Sequence, residues 1–305
     1  MGVATAAPGV NLDELVHQAD VAMYAAKAHG KGQVQLYQPG LLQSETALVS
    51  FERQLGRAAG SGQLEVHYQP IVSLPELHCT GVEAIVRWRH PERGLLLPQE
   101  FIPLAERDGA ILGIGAFVLR RSCTDAVAWP DARPGTPMTV HVNISARELE
   151  SDHFVDSVLW CLADSGLPAS RLELELTETA LVEDGPQIAH TLDALRRLGI
   201  KIAMDDFGTG YSSLAHLRDL PLDRIKIDRS FVAAALNDRQ SLAVIKAVTQ
   251  MGRDMNIPTL AEGVESREQL DLLRAIGCDA VQGYLIGRPA RPQALAYPES
   301  GIRAA

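Results

Sequence analysis

The sequence predicts an α/β fold, a (β/α)8 TIM-like barrel whose first strand is antiparallel, preceded by a short N-terminal helix-strand remnant. Eight β-rich runs alternate with helical stretches over about 240 residues, whereas open doubly wound sheets more often have about five to seven strands. Only about ten residues, Pro75 among them, separate the first two runs, too few for a helical crossover, so these strands are predicted to be antiparallel. Apolar residues form 46% of the chain, enough for a sizeable core.

The strands are predicted from short apolar, β-branched runs, and the helices from apolar residues at helical spacing. The eight runs are Leu64–Ile71, Val82–Trp88, Met138–Ile144, Leu172–Thr177, Ile200–Asp205, Arg224–Asp228, Thr259–Ala261 and Ala280–Gln282. The predicted helices are Glu45–Ala59, Leu112–Ala128, Phe154–Ser165, Pro186–Leu198, Ser241–Met255 and Arg267–Ile276.

The first forty residues do not fit the barrel pattern. Asn11–His29 has the spacing of one amphipathic helix, Gln33–Tyr37 is an extended piece, and Pro39 with Gly40 indicates a boundary. About forty residues bury too little core alone, so this segment is predicted to end a larger unit. The predicted domains are therefore 1–40, 41–295 and a tail at 296–305.

Composition excludes several classes of protein. The 28 Lys and Arg against 38 Asp and Glu give a net charge of −10, which disfavours binding to duplex nucleic acid. No apolar stretch is long enough to cross a bilayer and no signal peptide is visible, so we expect a cytoplasmic protein without a membrane segment. The four cysteines lie far apart without a C-x-x-C pair, and we expect reduced, mostly buried thiols.

Polar side chains stand at or near the end of each run. Strand ends of a barrel converge on one face, where barrel enzymes build their sites. One such residue alone is equally well explained as an ordinary surface loop residue, but acids that follow apolar stretches, as Asp205 and Asp206 follow Met204, are costly to bury. The whole set therefore predicts a site: Gln69, Glu83, Asn143, Glu175, Asp205, Asp206, Lys226, Asp228, Glu262 and Gln282.

This set predicts two hard divalent cations. Carboxylate and amide oxygens suit Mg²⁺ or Mn²⁺, whereas Zn²⁺ would favour His or Cys. Of two adjacent acids, Asp205 and Asp206, one can bridge two ions while its neighbour holds the second. Two ions would clamp the attacking and leaving oxygens of an in-line phosphoryl displacement, and Lys226 would orient the water or stabilise the transition state.

Two segments with a G-x-G pattern are weighed as dinucleotide-binding loops. Phe207-Gly208-Thr209-Gly210-Tyr211-Ser212-Ser213 is a small-residue turn that could fold over a substrate. Gly113-Ile114-Gly115 lies inside a predicted helix. Neither is a full G-x-G-x-x-G between strand and helix, so no dinucleotide site is predicted.

These motifs, in this order, resemble the EAL-domain phosphodiesterases, which hydrolyse cyclic di-GMP to its linear dinucleotide, pGpG. The resemblance covers nearly all of residues 45–293. The matching stretches are Tyr68-Gln69-Pro70-Ile71, Glu83-Ala84-Ile85-Val86-Arg87-Trp88-Arg89-His90-Pro91, Asn143-Ile144-Ser145, Glu175-Leu176-Thr177-Glu178, Asp205 to Ser213, Lys226-Ile227-Asp228-Arg229-Ser230-Phe231, Ala261-Glu262-Gly263-Val264-Glu265 and Gln282-Gly283-Tyr284.

The resemblance implies a role for each matching residue. Lys226, Glu262 and Gln282 correspond to residues that hold the ions and the nucleophilic water, directly or through solvent. Glu262 is the candidate general base, although a hydroxide that bridges two metals needs no separate base. The implied ligands of one metal are Glu83, Asn143, Glu175 and Asp205, those of the second are Asp205 and Asp206, and Gln69, Arg87 and Gln282 are implied substrate contacts.

Glu178 corresponds to the acid that anchors the glycine-rich loop, and an equally good reading of this residue alone is a charge at a helix N-terminus. The chain departs from the family at Ile85, which replaces leucine in the name-giving triplet, and at Ile286, where an aromatic residue is common. Neither departure removes an implied metal ligand.

Residues 1–38 resemble the C-terminal end of a GGDEF diguanylate cyclase domain, through Gly2-Val3-Ala4 and the run Ala19 to Lys27 followed by Gly30-Lys31-Gly32. The signature loop and the metal aspartates of that domain are absent, so the sequence excludes cyclase activity for this chain.

Three functions are weighed. The first is an active cyclic di-GMP phosphodiesterase, which the resemblance implies to be a homodimer. The second is a silent receptor that binds cyclic di-GMP without cutting it, a class that has typically lost some of the acids that this chain retains. The third, another metal-dependent barrel enzyme of enolase or aldolase type, does not account for the ordered motifs. The sequence therefore favours the phosphodiesterase.

Overall fold

The structure is a computed structural model that describes residues 2–5, 15–16, 19, 35–36, 39–74, 76–177, 180, 185–208 and 220–295. Its contacts divide the chain into two units, Met1–Ala58 and Ala59–Ala305. The first unit contains a parallel pair of two-residue strands, Gly2–Val3 with Gln35–Leu36, and the helix Pro39–Ala58. Most of the predicted helix Asn11–His29 lies outside the described residues.

The second unit contains a closed eight-stranded barrel, as predicted. Each strand pairs with its neighbours in sequence, and β8 closes the barrel against β1. All pairs are parallel except those of β1, which is antiparallel to both β2 and β8. The strands are β1 (Leu64–Ser73), β2 (Cys79–His90), β3 (Thr139–Asn143), β4 (Leu172–Thr177), β5 (Lys201–Phe207), β6 (Arg224–Ile227), β7 (Thr259–Ala261) and β8 (Ala280–Gln282).

Helices connect most of the strands. Two of them, Phe154–Ser165 and Arg267–Ile276, have the predicted bounds. The helix Pro98–Asp108 was not predicted, because proline residues such as Pro98 and Pro103 usually indicate a break in a helix. The other helices of this unit are Ile111–Ala126, Ala146–Leu149, Gly185–Arg197, Arg229–Ala234 and Arg239–Met255, with 3₁₀ turns at Ala169–Arg171 and Pro292–Ala294 and short outer strands at Gly94–Leu96, Asp131–Arg133 and Thr136–Pro137.

The strand β4 shows how the barrel positions polar groups. Residues 172–176 of this strand are all buried, and leucine alternates with glutamate. Because successive side chains of a strand point to opposite faces, Leu172, Leu174 and Leu176 share one face while Glu173 and Glu175 share the other. Glu173 and Glu175 form ion pairs with side chains of β6. The barrel interior therefore receives charges, and the outer face receives the apolar residues.

The Gly113-Ile114-Gly115 segment lies in the helix Ile111–Ala126, as predicted, and its second glycine is a packing site. A Cβ atom at Gly115 would overlap the carboxylate of Glu148. That carboxylate is buried and accepts hydrogen bonds from Ser145 N at 2.9 Å and Ser145 Oγ at 2.8 Å. The close approach of helix and carboxylate explains the glycine without a nucleotide.

Gly115→Ala is expected to lower the free energy of unfolding by about 1–3 kcal/mol, because the methyl group displaces a buried, hydrogen-bonded carboxylate. Gly113→Ala in the same helix is the matched control. Its Cβ would lie 3.8 Å from Ala59 Cβ, an ordinary contact, and alanine should stabilise the helix by about 0.5–1 kcal/mol. Urea denaturation of both variants checks this, and equal effects would contradict it.

Two expectations from composition concern the whole barrel unit. All four cysteines are free and buried, as predicted. In the described part of the chain, no helix combines the length and the apolar character that crossing a membrane requires.

Candidate functional site

Asp205 and Asp206 lie near the end of β5, where the strand bulges. The pairing with β6 changes from Met204 opposite Ile225 to Phe207 opposite Ile227, so β5 contains one extra residue. Asp206 adopts a left-handed φ of 53°, which is uncommon for a residue other than glycine. Adjacent side chains of a regular strand point to opposite faces, and the bulge removes that restriction. Carboxylate oxygens of Asp205, Asp206 and Glu262 consequently lie within 4.8 Å of one another.

Lys226 joins carboxylates from three other strands. Its Nζ atom lies 2.7 Å from Glu175 Oε2, 3.1 Å from Asp205 Oδ2 and 2.6 Å from Glu262 Oε1. Lys226 is fully buried. Burial would lower the pKa of its amine, but the surrounding carboxylates hold this pKa well above the usual value. The side chain is therefore a permanent cation inside the barrel.

The acids of the cluster are poorly neutralised. Burial, together with the nearby charges of Glu83 and Asp205, raises the pKa of Glu175 and Glu262 well above the usual value. Burial and the adjacent Asp205 raise the pKa of Asp206 to about 6. A single ammonium group does not balance these carboxylates, so the cluster is suited to binding cations.

The opposite wall of the mouth is built around Glu83 on β2. Asn143 Nδ2 donates to Glu83 Oε1 at 2.7 Å, and Gln282 Nε2 donates to Glu83 Oε2 at 2.6 Å. Gln282 Nε2 also lies 3.2 Å from Gln69 Oε1. Gln282 Oε1 is buried and accepts no hydrogen bond within the described residues. A buried acceptor of this kind normally has a water or an ion as its partner.

Arg87 lies on β2, four residues beyond Glu83, and is only 8% exposed. Its Nη1 donates to the backbone oxygen of Val86 at 2.9 Å, and burial lowers its pKa. Among the described residues, no carboxylate forms an ion pair with this guanidinium. A buried, uncompensated guanidinium is suited to binding an anionic group such as a phosphate.

The structure thus brings most of the predicted site residues to one end of the barrel. Asp228 instead caps the helix Arg229–Ala234, where its carboxylate accepts from Ser230 N. Glu178 and residues 209–213 of the glycine-rich segment lie outside the described residues. The residues that meet at the mouth are Gln69, Glu83, Asn143, Glu175, Asp205, Asp206, Lys226, Glu262 and Gln282.

Sequence reasoning missed a second group, His141, Glu173 and Arg224, which touches this cluster. His141 Nδ1 lies 3.0 Å from Glu175 Oε1, and Arg224 Nε lies 2.6 Å from Glu173 Oε1. Burial lowers the pKa of His141 to about 4, so the imidazole is neutral at pH 7. Although burial opposes it, His141, which is protonated in the acidic range where Glu173 titrates, and Arg224 lower the pKa of Glu173 to about 2. The sequence signal that could have located this group is the spacing of two residues, which places Glu173 on the same strand face as Glu175.

The donor set fits hard divalent cations. The side chains at the mouth offer mostly carboxylate and amide oxygens, and His141 of the second group adds an imidazole nitrogen 3.0 Å from Glu175 Oε1. The orphaned Gln282 Oε1 and the excess of carboxylates over ammonium groups indicate the same class of ion.

A closed barrel with charged residues at its strand ends is the architecture on which barrel enzymes carry their sites. The chain belongs to the EAL domain family, whose model matches residues 52–289. The match begins after residue 51, so the GGDEF resemblance of residues 1–38 stays a prediction.

Similar proteins include signalling enzymes of Pseudomonas aeruginosa. The chain is 41% identical over 295 residues to the cyclic di-GMP phosphodiesterase NbdA, covering 94% of this chain and 38% of NbdA. It is 38% identical over 281 residues to the bifunctional diguanylate cyclase/cyclic di-GMP phosphodiesterase MucR, covering 92% of this chain and 41% of MucR. The chain therefore spans well under half the length of these two relatives.

A solved structure of the PaMucR phosphodiesterase in complex with c-di-GMP has the same fold. Its TM-score is 0.76 at 39% sequence identity, and the match covers 81% of this chain and 98% of that one. Members of this family are cyclic di-GMP phosphodiesterases that use divalent metal ions, and some EAL domains are inactive.

Proposed function

We propose that this chain is an active, two-metal phosphodiesterase that hydrolyses cyclic di-GMP to linear pGpG and so lowers the level of this messenger. The observation that carries the proposal is the crowding of Glu83, Glu175, Asp205, Asp206 and Glu262 at one barrel mouth with a single buried lysine. Such a cluster is costly without bound cations.

The acids and the amide divide between two ions of Mg²⁺ or Mn²⁺. Asp205 belongs to both ion sites, and the bulge that brings Asp206 beside it supports this sharing. Two bound ions would activate the attacking water and would stabilise the charge that develops on the phosphate. The proposed ligands are Glu83, Asn143, Glu175 and Asp205 for one ion and Asp205 with Asp206 for the other.

Lys226 and Glu262 complete the catalytic group together with Asp206. The 2.6 Å contact between Lys226 Nζ and Glu262 Oε1 fixes the glutamate. Burial and the charge of Asp205 raise the pKa of Glu262 above the usual carboxyl value, which makes its carboxylate a stronger proton acceptor. Lys226 keeps its charge throughout and holds the acids in place around the reacting water.

Arg87, Gln69 and Gln282 are the proposed substrate contacts. Arg87 carries an uncompensated charge for a phosphate of the substrate. Gln69 and Gln282 are buried at the mouth and hydrogen-bonded to each other, which holds their amide groups in fixed positions. Glu178 is proposed to anchor the glycine-rich loop, as the family resemblance implies.

The domain boundaries, the oligomeric state and the location are parts of the same proposal. The contacts divide the chain between Ala58 and Ala59, which supports a boundary ahead of the barrel, and the first unit includes the helix Pro39–Ala58, beyond the predicted limit at residue 40. The proposed domains stay residues 1–40 as a GGDEF-like remnant, 41–295 as the phosphodiesterase and 296–305 as a tail. Likeness to the family supports a homodimer formed through the barrel. A cytoplasmic location is proposed because that is where this messenger is used.

The test is hydrolysis by the purified chain. With Mn²⁺ or Mg²⁺ it is expected to convert cyclic di-GMP to pGpG, and liquid chromatography measures the product. A chelator is expected to abolish the reaction. Binding of cyclic di-GMP without turnover under saturating metal would instead support the second candidate, a silent receptor. Retention of every acid of the family motifs favours the enzyme.

Mn²⁺ is expected to raise the Tm of the protein, by more at about pH 8 than at about pH 5. The folded-state pKa of Asp206 is about 6, and those of Glu175 and Glu262 are also raised. The metal-free fold therefore gains stability below the ordinary carboxyl pKa and loses it as pH rises through the raised values. Cations bind the ionised carboxylates, so their affinity for the site rises as pH rises and the carboxyl groups lose their protons. A thermal-shift series over pH checks this, and a metal effect that shrinks with rising pH would contradict it.

A further inference from the structure

A polar layer lies beneath the acidic mouth, formed by the buried His141 and Glu173 and the half-buried Thr139 and Arg224. His141, Glu173 and Arg224 each stand two residues before a mouth residue on the same strand, Asn143, Glu175 and Lys226 respectively. A spacing of two residues keeps a side chain on the same strand face, about 7 Å further along. Barrel interiors are usually filled by apolar branched side chains, so this layer needs a specific reason.

His141 is the member of the layer that reaches the mouth. Its Nδ1 atom lies 3.0 Å from Glu175 Oε1, and its Nε2 atom lies 3.0 Å from Thr139 Oγ1. Cation binding requires the ionised carboxylate of Glu175, which only accepts hydrogen bonds, so in that state Nδ1 carries the proton and donates to Glu175. Nε2 then accepts from the Thr139 hydroxyl. The Thr139 hydroxyl, which also lies 3.4 Å from Thr80 O, therefore gives Nε2 a partner and holds the ring in the orientation that faces Glu175.

Glu173 does not compete for this hydrogen bond. Arg224 Nε lies 2.6 Å from Glu173 Oε1, and Arg224 Nη2 lies 3.3 Å from Glu173 Oε2. The contact from His141 Nδ1 to Glu173 Oε1 is longer, at 3.4 Å, than the one to Glu175. Glu173 and Arg224 therefore form an ion pair beside the imidazole, and the N–H of His141 donates to Glu175.

The strand β2 makes room for the imidazole. Gly81 pairs with Thr139 across the β2–β3 ladder. A Cβ atom at Gly81 would overlap Thr139 Oγ1 and would lie 3.1 Å from His141 Nε2. A larger residue at position 81 would therefore displace the Thr139 hydroxyl and the His141 ring from their contact.

We propose that His141, oriented by Thr139, is a positioning residue that fixes the carboxylate of Glu175 for cation binding. Lys226 Nζ holds Glu175 Oε2 at 2.7 Å, while His141 Nδ1 holds Oε1 at 3.0 Å. The carboxylate is thus held at both oxygens, and its remaining lone pairs have a fixed direction. The proposal rests on the proposed function insofar as Glu175 is taken to be a ligand. Groups that orient metal ligands typically govern affinity about 10- to 100-fold.

The first test compares the Mn²⁺ affinities of two variants of position 141. Each variant is titrated with Mn²⁺ alone, and electron paramagnetic resonance measures the free ion. His141→Asn keeps an N–H donor where Nδ1 stands and is expected to bind Mn²⁺ within about threefold of the unmodified chain. His141→Leu removes the donor and is expected to bind about 10- to 100-fold more weakly. Equal affinities of the two variants would overturn the proposal.

The second test decides the matter even where His141→Leu does not fold. In protein labelled with nitrogen-15 in histidine and saturated with Mg²⁺, which keeps Glu175 ionised, the His141 ring is expected to be neutral with its proton on Nδ1. Thr139→Val leaves Nε2 without its hydroxyl partner and is expected to weaken Mn²⁺ binding, whereas Thr139→Ser keeps the hydroxyl and the affinity. A proton on Nε2 in the unmodified protein would overturn the proposal. Mn²⁺ binding without hydrolysis would refute the enzyme but leave the positioning role intact.

Discussion

Asp205→Asn is expected to lower the turnover of cyclic di-GMP at saturating Mn²⁺ by at least about 10²- to 10³-fold. Asp205 is the acid that both proposed ion sites share, and its carboxylate lies within 4.8 Å of those of Asp206 and Glu262. An amide oxygen is neutral and binds one cation weakly, so the pair of ions is lost. Glu83→Gln is expected to behave in the same way, since it neutralises the acid that Asn143 and Gln282 hold in place.

The fold should survive both changes. The remaining oxygen of asparagine at position 205 can still accept from Lys226, which lies 3.1 Å from Asp205 Oδ2. Circular dichroism and the metal-free Tm are therefore expected to stay close to those of the unmodified chain. Asp254→Asn is the matched control, because Asp254 is exposed near the C-terminal end of the helix Arg239–Met255, away from the strand ends of the mouth. Full turnover by Asp205→Asn would refute the shared ligand.

Lys226→Met is expected to be the most destabilising single change at the mouth. It leaves Glu175, Asp205 and Glu262 without the cation that lies within 3.1 Å of each of them. Breaking a buried ion pair in this way costs about 3–5 kcal/mol, which corresponds to a fall in Tm of roughly 6–20 °C for a unit of this size. Differential scanning calorimetry of the metal-free protein measures it.

The loss should depend on pH and on metal. The acids around Lys226 have folded-state pKa values that are already raised, so protonation relieves the variant as pH falls, and the destabilisation grows as pH rises. Mn²⁺ should restore part of the stability, because it replaces the missing positive charge. Lys246→Met removes a charge from an exposed helix position and serves as the control. An unchanged Tm in Lys226→Met at about pH 8 would contradict the assigned role.

Periodicity made the fold predictable. Short apolar, β-branched runs, alternating with stretches of helical spacing, located all eight barrel strands, and the short link between the first two runs predicted the antiparallel β1. The helix Pro98–Asp108 escaped because Pro103 lies inside it. Proline usually ends a helix, and the packing of Phe101 and Leu104 into the core outweighs that tendency here.

The site was only partly predictable. Acids at strand ends can be read from the sequence, which is how Glu83, Glu175 and Asp205 were found. The bulge at Asp206 cannot be read in this way, because it is a property of the register between β5 and β6. The layer around His141 was missed because only strand ends were searched, although the period of two in Leu172-Glu173-Leu174-Glu175 was visible. Burial of a second charged layer becomes apparent only when partners from three strands are seen together.

The reversed direction of β1 determines where the polypeptide enters the barrel. Leu64, the first residue of β1, stands opposite Trp88, five residues beyond Glu83 on β2. In an all-parallel barrel the chain would begin its first strand at the far end, away from the mouth. Here β1 begins beside the rim, so the residues that lead into the barrel adjoin β1 and β2, the two strands that carry Gln69, Glu83 and Arg87.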